Sequence, residues 1–196
     1  MNYDIEEIRK YAKEHMSKKR YKHCLEVEKI AVELAKIYNI DEQKARVASI
    51  LHDITKELSA DIQLQLCEEF GIILDNVEIQ EPKIIHPITG AFFVKTRLKI
   101  EDEDILNAIR NHTTARKGMS LLEKIIYLAD FVEPSRDFEG VNKLRELAYS
   151  DLDKAMVKAS IIAVCEVALK ERLIHTKSLE ALNEHLLILR NKEKDK

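Results

Sequence analysis

Apolar residues recur at helical spacing along nearly the whole chain. Ile5, Ile8, Tyr11 and Ala12 share one helical face, and the Asp4 and Glu7 pair before them has the spacing of a capping box, which predicts a helix start. Ser17 precedes a second stripe of Cys24, Val27, Ala31, Leu34, Ala35 and Tyr38, with His23 and Glu26 along its flank. Asp41 caps a shorter helix that turns Ala45, Ala48 and Leu51 inward and delivers His52 and Asp53 near its end. Adjacent helical side chains diverge by about 100°, so His52 and Asp53 can meet at one point only if the helix breaks there, at Thr55 or Ser59.

A helix from about Ser59 to Phe70 should end at Gly71. Pro82 and Pro87 bracket an expected loop ending at His86, with Pro87 as the first residue of the next helix. Asp102 or Glu101 starts another helix through Ile105, Ala108 and Ile109, and NHTTARKGM follows as a basic, polar turn carrying His112. Ser120 and Glu123 form a second capping box; the helix LLEKIIYLADFVE then runs to Pro134 with Asp130 in an otherwise apolar last turn. Ser150 or Asp151 opens a long helix through Met156, Ala159, Ile162, Ala163 and Val167, and a last helix carries Leu179, Leu182, Leu186 and Leu189. RNKEKDK reads as a frayed tail. The expected fold is all-α, with no internal repeat and no dividing linker.

Composition agrees with this: the 196 residues hold only 4 Gly and 3 Pro, against 45% hydrophobic and 34% charged residues. A chain of that length can bury a core as one domain. Cys24, Cys67 and Cys165 match neither a disulfide framework nor a zinc finger, and the charged opening MNYDIEEIRKYAKEHM lacks a signal-peptide core, so a cytoplasmic setting is expected. The longest stretch without Asp, Glu, Lys or Arg, IIHPITGAFFV, contains Pro and Gly and is too short for a membrane span. A net charge of −3 gives no bulk attraction for nucleic acid, and the basic run KKRYKH reads as a solvated helix edge. The apolar faces of the last two helices and the pair Phe92 and Phe93 are expected in the core, with a homodimer left open.

An HD dipeptide alone carries little, since 7 His and 12 Asp in this length give roughly 0.4 by chance. What matters is the company it keeps. His23, His52, Asp53, His86, His112 and Asp130 stand at core edges and helix ends, whereas His15, His175 and His185 are expected on outer faces. A carboxylate in an apolar turn costs several kcal/mol unless paired or bound to a cation, so Asp130 needs a partner. Imidazoles with carboxylates and no thiolate suit a divalent iron, manganese or cobalt ion with open coordination positions. Such an ion lowers the pKa of its water from 15.7 to about 7–9 and supplies hydroxide at neutral pH.

The order His23, then His52 and Asp53, then Asp130, on successive helices, resembles the HD-domain superfamily of metal-dependent phosphohydrolases. Five segments in order, RYKHCLEVEKIA, LHDITKEL, IIHPITGAFF, IRNHTTARKGM and IYLADFVEPSRDFEGV, are similar to its YqeK-type branch; the position before Lys56, often small in the family, is Thr55. The resemblance implies a helical HD bundle over residues 1–196, with a metal-site core at about 18–137 and helices of 150–190 packed on it. It implies symmetrical hydrolysis of diadenosine tetraphosphate into two ADP, by hydroxide attack on a phosphoanhydride. His23, His52, Asp53 and Asp130 would hold the metal, taken as iron, and His86 and His112 would face the phosphates or hold a second ion. Glu26, Thr113 and Arg136 match nucleotide-contacting positions, with His23, His86 and His112 also counted among the substrate contacts. Asp53 is a candidate to take the proton of water, and His86, His112 or Lys56 to protonate the leaving phosphate. Another HD nucleotidase, acting on a deoxynucleotide, a guanosine polyphosphate or a cyclic nucleotide, is the main alternative; a noncatalytic nucleotide-binding scaffold is the other.

Overall fold

The computed structural model describes residues 3–194; the first two residues of the opening segment and the last two of the tail lie outside them. Helices account for all the regular structure among the described residues. α1 (Ile5–His15), α2 (Lys18–Ile37) and α3 (Glu42–Leu51) start at Asp4, Ser17 and Asp41, whose side chains accept hydrogen bonds from amides of the first turn. Those amides would otherwise lack partners. α4 (Ala60–Glu69) starts at Ser59, and Gly71 just beyond it takes a φ of 64°, which a side chain would disfavour.

An unforeseen short helix precedes the two prolines, and the loop expected between them opens as a 3-10 turn. α5 (Asn76–Gln80) starts in a full capping box of Asp75 and Glu78, and a 3-10 turn spans Pro82–Ile84. α6 (His86–Arg97) includes His86 as its first residue, one position before Pro87. α7 (Glu103–Asn111) is capped by Asp102, and α8 (Leu121–Val132) by the reciprocal Ser120 and Glu123 box. An unforeseen helix, α9 (Val141–Ser150), follows Gly140 at φ 87°, where no side chain caps the start. α10 (Leu152–Leu169) is capped by Asp151, and α11 (Thr176–Lys194) continues as helix through most of the tail expected to fray.

α8 is apolar on nearly every side and is correspondingly central. It packs against α2, α3, α7, α9 and α10, with Ile125, Ile126, Tyr127, Leu128 and Ala129 all buried. α10 lies between α8, α9 and α11. Of the faces expected in the core, Met156 and Ala159 are buried, Ile162, Ala163, Val167, Leu182, Leu186 and Leu189 are half-buried and Leu179 is exposed, so that expectation holds only in part. His175 and His185 correct it in the other direction. Both are buried, His175 against Asp75 and Glu78 at the start of α5, and His185 beside Ser160 of α10. No helix of the described residues is long and apolar enough to cross a membrane.

Candidate active site

α3 and α7 pack side by side and each hands over to a histidine as its C-cap, His52 and His112. From Leu51 onward the chain tightens to hydrogen bonds between residues three apart: Ile54 to Leu51, Lys56 to Asp53 and Leu58 to Thr55. This is the break that lets His52 and Asp53 converge, with His52 Nε2 3.5 Å from Asp53 Oδ2. Thr55 anchors the turn by donating to the carbonyl of His86 at 2.8 Å, tying it to the start of α6.

The four histidines present one ring edge outward and one inward. Nδ1 of His52, His86 and His112 lies 2.7, 2.8 and 2.7 Å from the carbonyls of Ser49, Lys83 and Ile109, each three residues earlier. A carbonyl only accepts, so Nδ1 carries a proton, and Nε2 offers a lone pair whenever the ring is neutral. His23 follows the same rule with a side chain, its Nδ1 lying 3.3 Å from Glu133 Oε1. All four Nε2 atoms turn toward the two aspartates. His23 Nε2 is 3.1 Å from Asp130 Oδ1, and the Nε2 atoms of His86 and His112 are 3.2 and 3.3 Å from Asp53 Oδ1. Ligand atoms of His23, His52 and Asp130 all lie within 4.8 Å of one another, as do those of His52, Asp53 and His112.

This cluster sits inside the protein. His52, Asp53, His86 and His112 are buried, and His23 Nε2, His52 Nε2 and Asp53 Oδ1 have no hydrogen-bond partner among the described residues. Buried polar atoms without partners are rare and costly. Orphaned lone pairs facing one point are what a divalent cation satisfies, and the donor set of imidazole and carboxylate matches one. Burial favours the neutral carboxyl of Asp53, yet the positive charge that Asp53 draws onto His52, whose pKa it raises against burial, outweighs this and holds the group well below the usual carboxylate range. Asp130 is likewise held low against burial, chiefly by His23 and Arg136. Burial pushes His86 down to about 3, so its ring is neutral at any working pH.

Two cations reach the same centre. Lys56 Nζ is 3.0 Å from His86 Nε2, and burial lowers its pKa from the usual lysine range. Arg136 clamps Asp130, with Nη2 on Oδ1 and Nε 2.8 Å from the backbone carbonyl. Thr113 directly follows His112 and is half-buried, while the Glu26 carboxylate, one turn along from His23, pairs with Lys29 at 2.8 Å. Two contributors escaped the sequence reading. Glu133 is buried and orients His23; Arg20, within the run expected to be a solvated edge, places Nη1 2.7 Å from Asp53 Oδ2. Glu133 offered a faint signal, a carboxylate at a helix end immediately before Pro134.

Residues 20–135 match the family model of the HD domain. The chain belongs to the HD-domain family. Membership implies a divalent metal ion, and the orphaned donors of this HD domain fit one. The chain is 39% identical to a Halalkalibacterium halodurans protein named symmetrical bis(5'-nucleosyl)-tetraphosphatase, over 89% of this chain and 93% of that one. A Bacillus subtilis protein of the same name is 38% identical over 79% of this chain and 82% of its own. A crystal structure from Clostridium acetobutylicum, of a protein described as a predicted HD superfamily hydrolase involved in NAD metabolism, superposes with a TM-score of 0.90. It has 40% identity and covers 95% of this chain and 98% of that one.

Proposed function

We propose that this HD domain is a metal-dependent hydrolase that cuts diadenosine tetraphosphate symmetrically into two ADP. The observation that carries the reading is the convergence of four imidazole lone pairs and two carboxylates beside Lys56 and Arg136, a centre suited to a cation and a polyphosphate together. The names of the Halalkalibacterium and Bacillus relatives support the substrate.

His23, His52, Asp53 and Asp130 would hold the metal, which we take to be iron, with manganese or cobalt as substitutes. When bound, such an ion activates water and neutralises phosphoryl charge. One ion is the simpler reading: Lys56 Nζ, 3.0 Å from His86 Nε2, opposes a second cation between His86 and His112. Water oxygen bonds to the second phosphorus of the chain. The bond from that phosphorus to the oxygen bridging it to the third breaks, and the oxygen departs with the electron pair as the end of an ADP. Asp53 would accept the proton from water, and Lys56, its ammonium made more acidic by burial, would return one to the departing phosphate. Arg136 would exchange part of its hold on Asp130 for phosphoryl oxygens, and His112 and Thr113 would line the same phosphates. Glu26, paired with Lys29, would meet the nucleoside only after that pair opens.

The chain is taken as one domain, since α10 packs directly on α8. Free Cys24 and Cys67, both buried, support a cytoplasmic setting. The ligand of an acidic chain with this local cluster is a small anionic nucleotide rather than nucleic acid. The exposed leucines of α10 and α11 leave a homodimer as the proposed assembly.

Protein purified without oxygen should contain about one transition metal per chain and convert the tetraphosphate to ADP alone. Assays with a deoxynucleoside triphosphate, a guanosine polyphosphate, a cyclic nucleotide and NAD run in parallel. Faster turnover of any of these, or release of inorganic phosphate or AMP from the tetraphosphate, overturns the reading.

A further inference from the structure

A symmetrical cut has a spatial requirement. If the scissile bond sits at the metal cluster, two phosphates and a nucleoside extend from it on each side, and both halves need a seat. Arg136 serves the Asp130 side. On the Asp53 side a cleft of about 400 Å³ opens beside His86 and Lys56. Its cations are Arg20, Lys56 and Lys83, its apolar wall includes Leu58 and Pro82, and no carboxylate lines it. That is unusual for an acidic chain. A larger cavity, of about 550 Å³, is different: it is lined by Glu28 and Glu33, and Arg9 and Arg46 both spend their charge on Glu28 at 2.7 and 2.8 Å.

One cleft cation has no ion pair among the described residues, and another keeps a donor unused. Lys83 is exposed and forms no ion pair among the described residues, while its backbone carbonyl fixes the ring of His86. Arg20 reaches Asp53 with Nη1 but keeps Nε buried without a partner among the described residues. A buried guanidinium nitrogen with no acceptor is a standing invitation to an anion.

The geometry points to this cleft as the seat of the departing nucleoside diphosphate, whose two phosphates are held by Arg20, Lys56 and Lys83. The inference rests on the proposed tetraphosphate hydrolysis. It assigns Arg20 and Lys83 to substrate recognition and makes chain length, read as charge on both flanks of the cluster, the basis of the symmetrical cut. No aromatic ring lines the cleft, so this half is recognised by its phosphates more than by its base.

Calorimetric titration of the metal-loaded protein with ADP tests it. Two ADP per chain are expected, and only one for Lys83→Glu combined with Arg20→Gln; adenosine should not fill the second seat. Lys83→Glu alone, at an exposed position, should raise KM for the tetraphosphate roughly tenfold with a smaller change in kcat. Metal content and melting temperature are measured alongside, so that a folding or metal defect is recognised. One ADP per chain in a wild-type protein that does produce two ADP overturns the cleft and spares the activity. So does an unchanged KM in Lys83→Glu. A wild-type protein that leaves the tetraphosphate intact overturns the activity itself, and with it this assignment.

Discussion

His23 Nδ1 lies 3.3 Å from the carboxylate of Glu133, a buried residue that belongs to the end of α8 and is 110 positions away in sequence. The other three histidines of the cluster fix their rings on backbone carbonyls of their own turn. His23 lies mid-helix, where carbonyls are already engaged, and borrows a side chain. A charged acceptor also raises the basicity of Nε2. Glu133→Gln keeps the shape and removes the charge, and it should weaken metal affinity by about 10–100-fold. Titrating metal into the stripped variant checks this: activity should return at high metal concentration, whereas a purely structural defect would not be rescued.

Asp53 gathers much of the centre, with contacts to His52, His86, His112 and Arg20. Asp53→Ala should lower turnover by about 10³-fold or more and deplete bound metal. Chelation of the wild-type protein should reproduce the second effect as a fall in melting temperature, since an ion at 100 times its Kd stabilises the folded chain by about 2.7 kcal/mol. A folded Asp53→Ala protein with undiminished turnover would refute the metal assignment.

Helix starts were legible in the sequence because their signals are local. Asp4, Ser17, Asp41, Ser59, Asp102, Ser120 and Asp151 each cap the helix that follows. α9 was not legible, because Gly140 offers no capping side chain, whereas α5 carried a readable Asp75 and Glu78 box hidden by the nearby prolines. The gathering of His23, His52, Asp53, His86, His112 and Asp130 could be anticipated from their order. What tertiary packing alone decides could not: Arg20 turns inward to Asp53 although its neighbours Lys18, Lys19 and Lys22 are exposed. His175 and His185 become buried only because α11 returns against α10 and the Asp75 region.

Thr55 stands where a small residue is common in the family, and the structure gives it a task. Its hydroxyl donates to the His86 carbonyl and lies 3.1 Å from the Thr89 hydroxyl, all of it buried. Thr55→Val removes the donor at nearly constant volume. The expected cost is about 1–3 kcal/mol, read from denaturant unfolding. Because the bond ties the HD turn to the helix that carries His86, KM for the tetraphosphate should rise as well; a loss of stability alone would restrict Thr55 to the core.

Arg136 holds Asp130 through both its side-chain and backbone oxygens, a fork that an ammonium cannot copy. If the same fork serves the phosphates, Arg136→Lys should behave nearly as badly as Arg136→Gln. Each should lose about 100-fold in kcat/KM, mostly in kcat, as expected for charge stabilised in the transition state. Recovery of activity in Arg136→Lys would reduce the residue to a point charge.

Stability should also depend on pH through a histidine remote from the metal centre. His185 is buried against α10, its Nε2 has no partner among the described residues, and burial, reinforced by Lys124, lowers its pKa from 6.5. The folded chain therefore refuses a proton that the unfolded chain accepts once the pH falls below about 6.5. Stability is unaffected by this group above that pH and declines below it, by at most about 1.36 kcal/mol per pH unit, until the folded pKa is reached. Carboxylates titrate lower and leave this window clear. His86 and His112 shift in the same direction, so the comparison must be made between wild type and His185→Gln under one metal condition. From pH 7.5 to 5.5 the wild type should lose more unfolding free energy than the variant, and parallel curves would show that His185 takes up its proton without leaving the core.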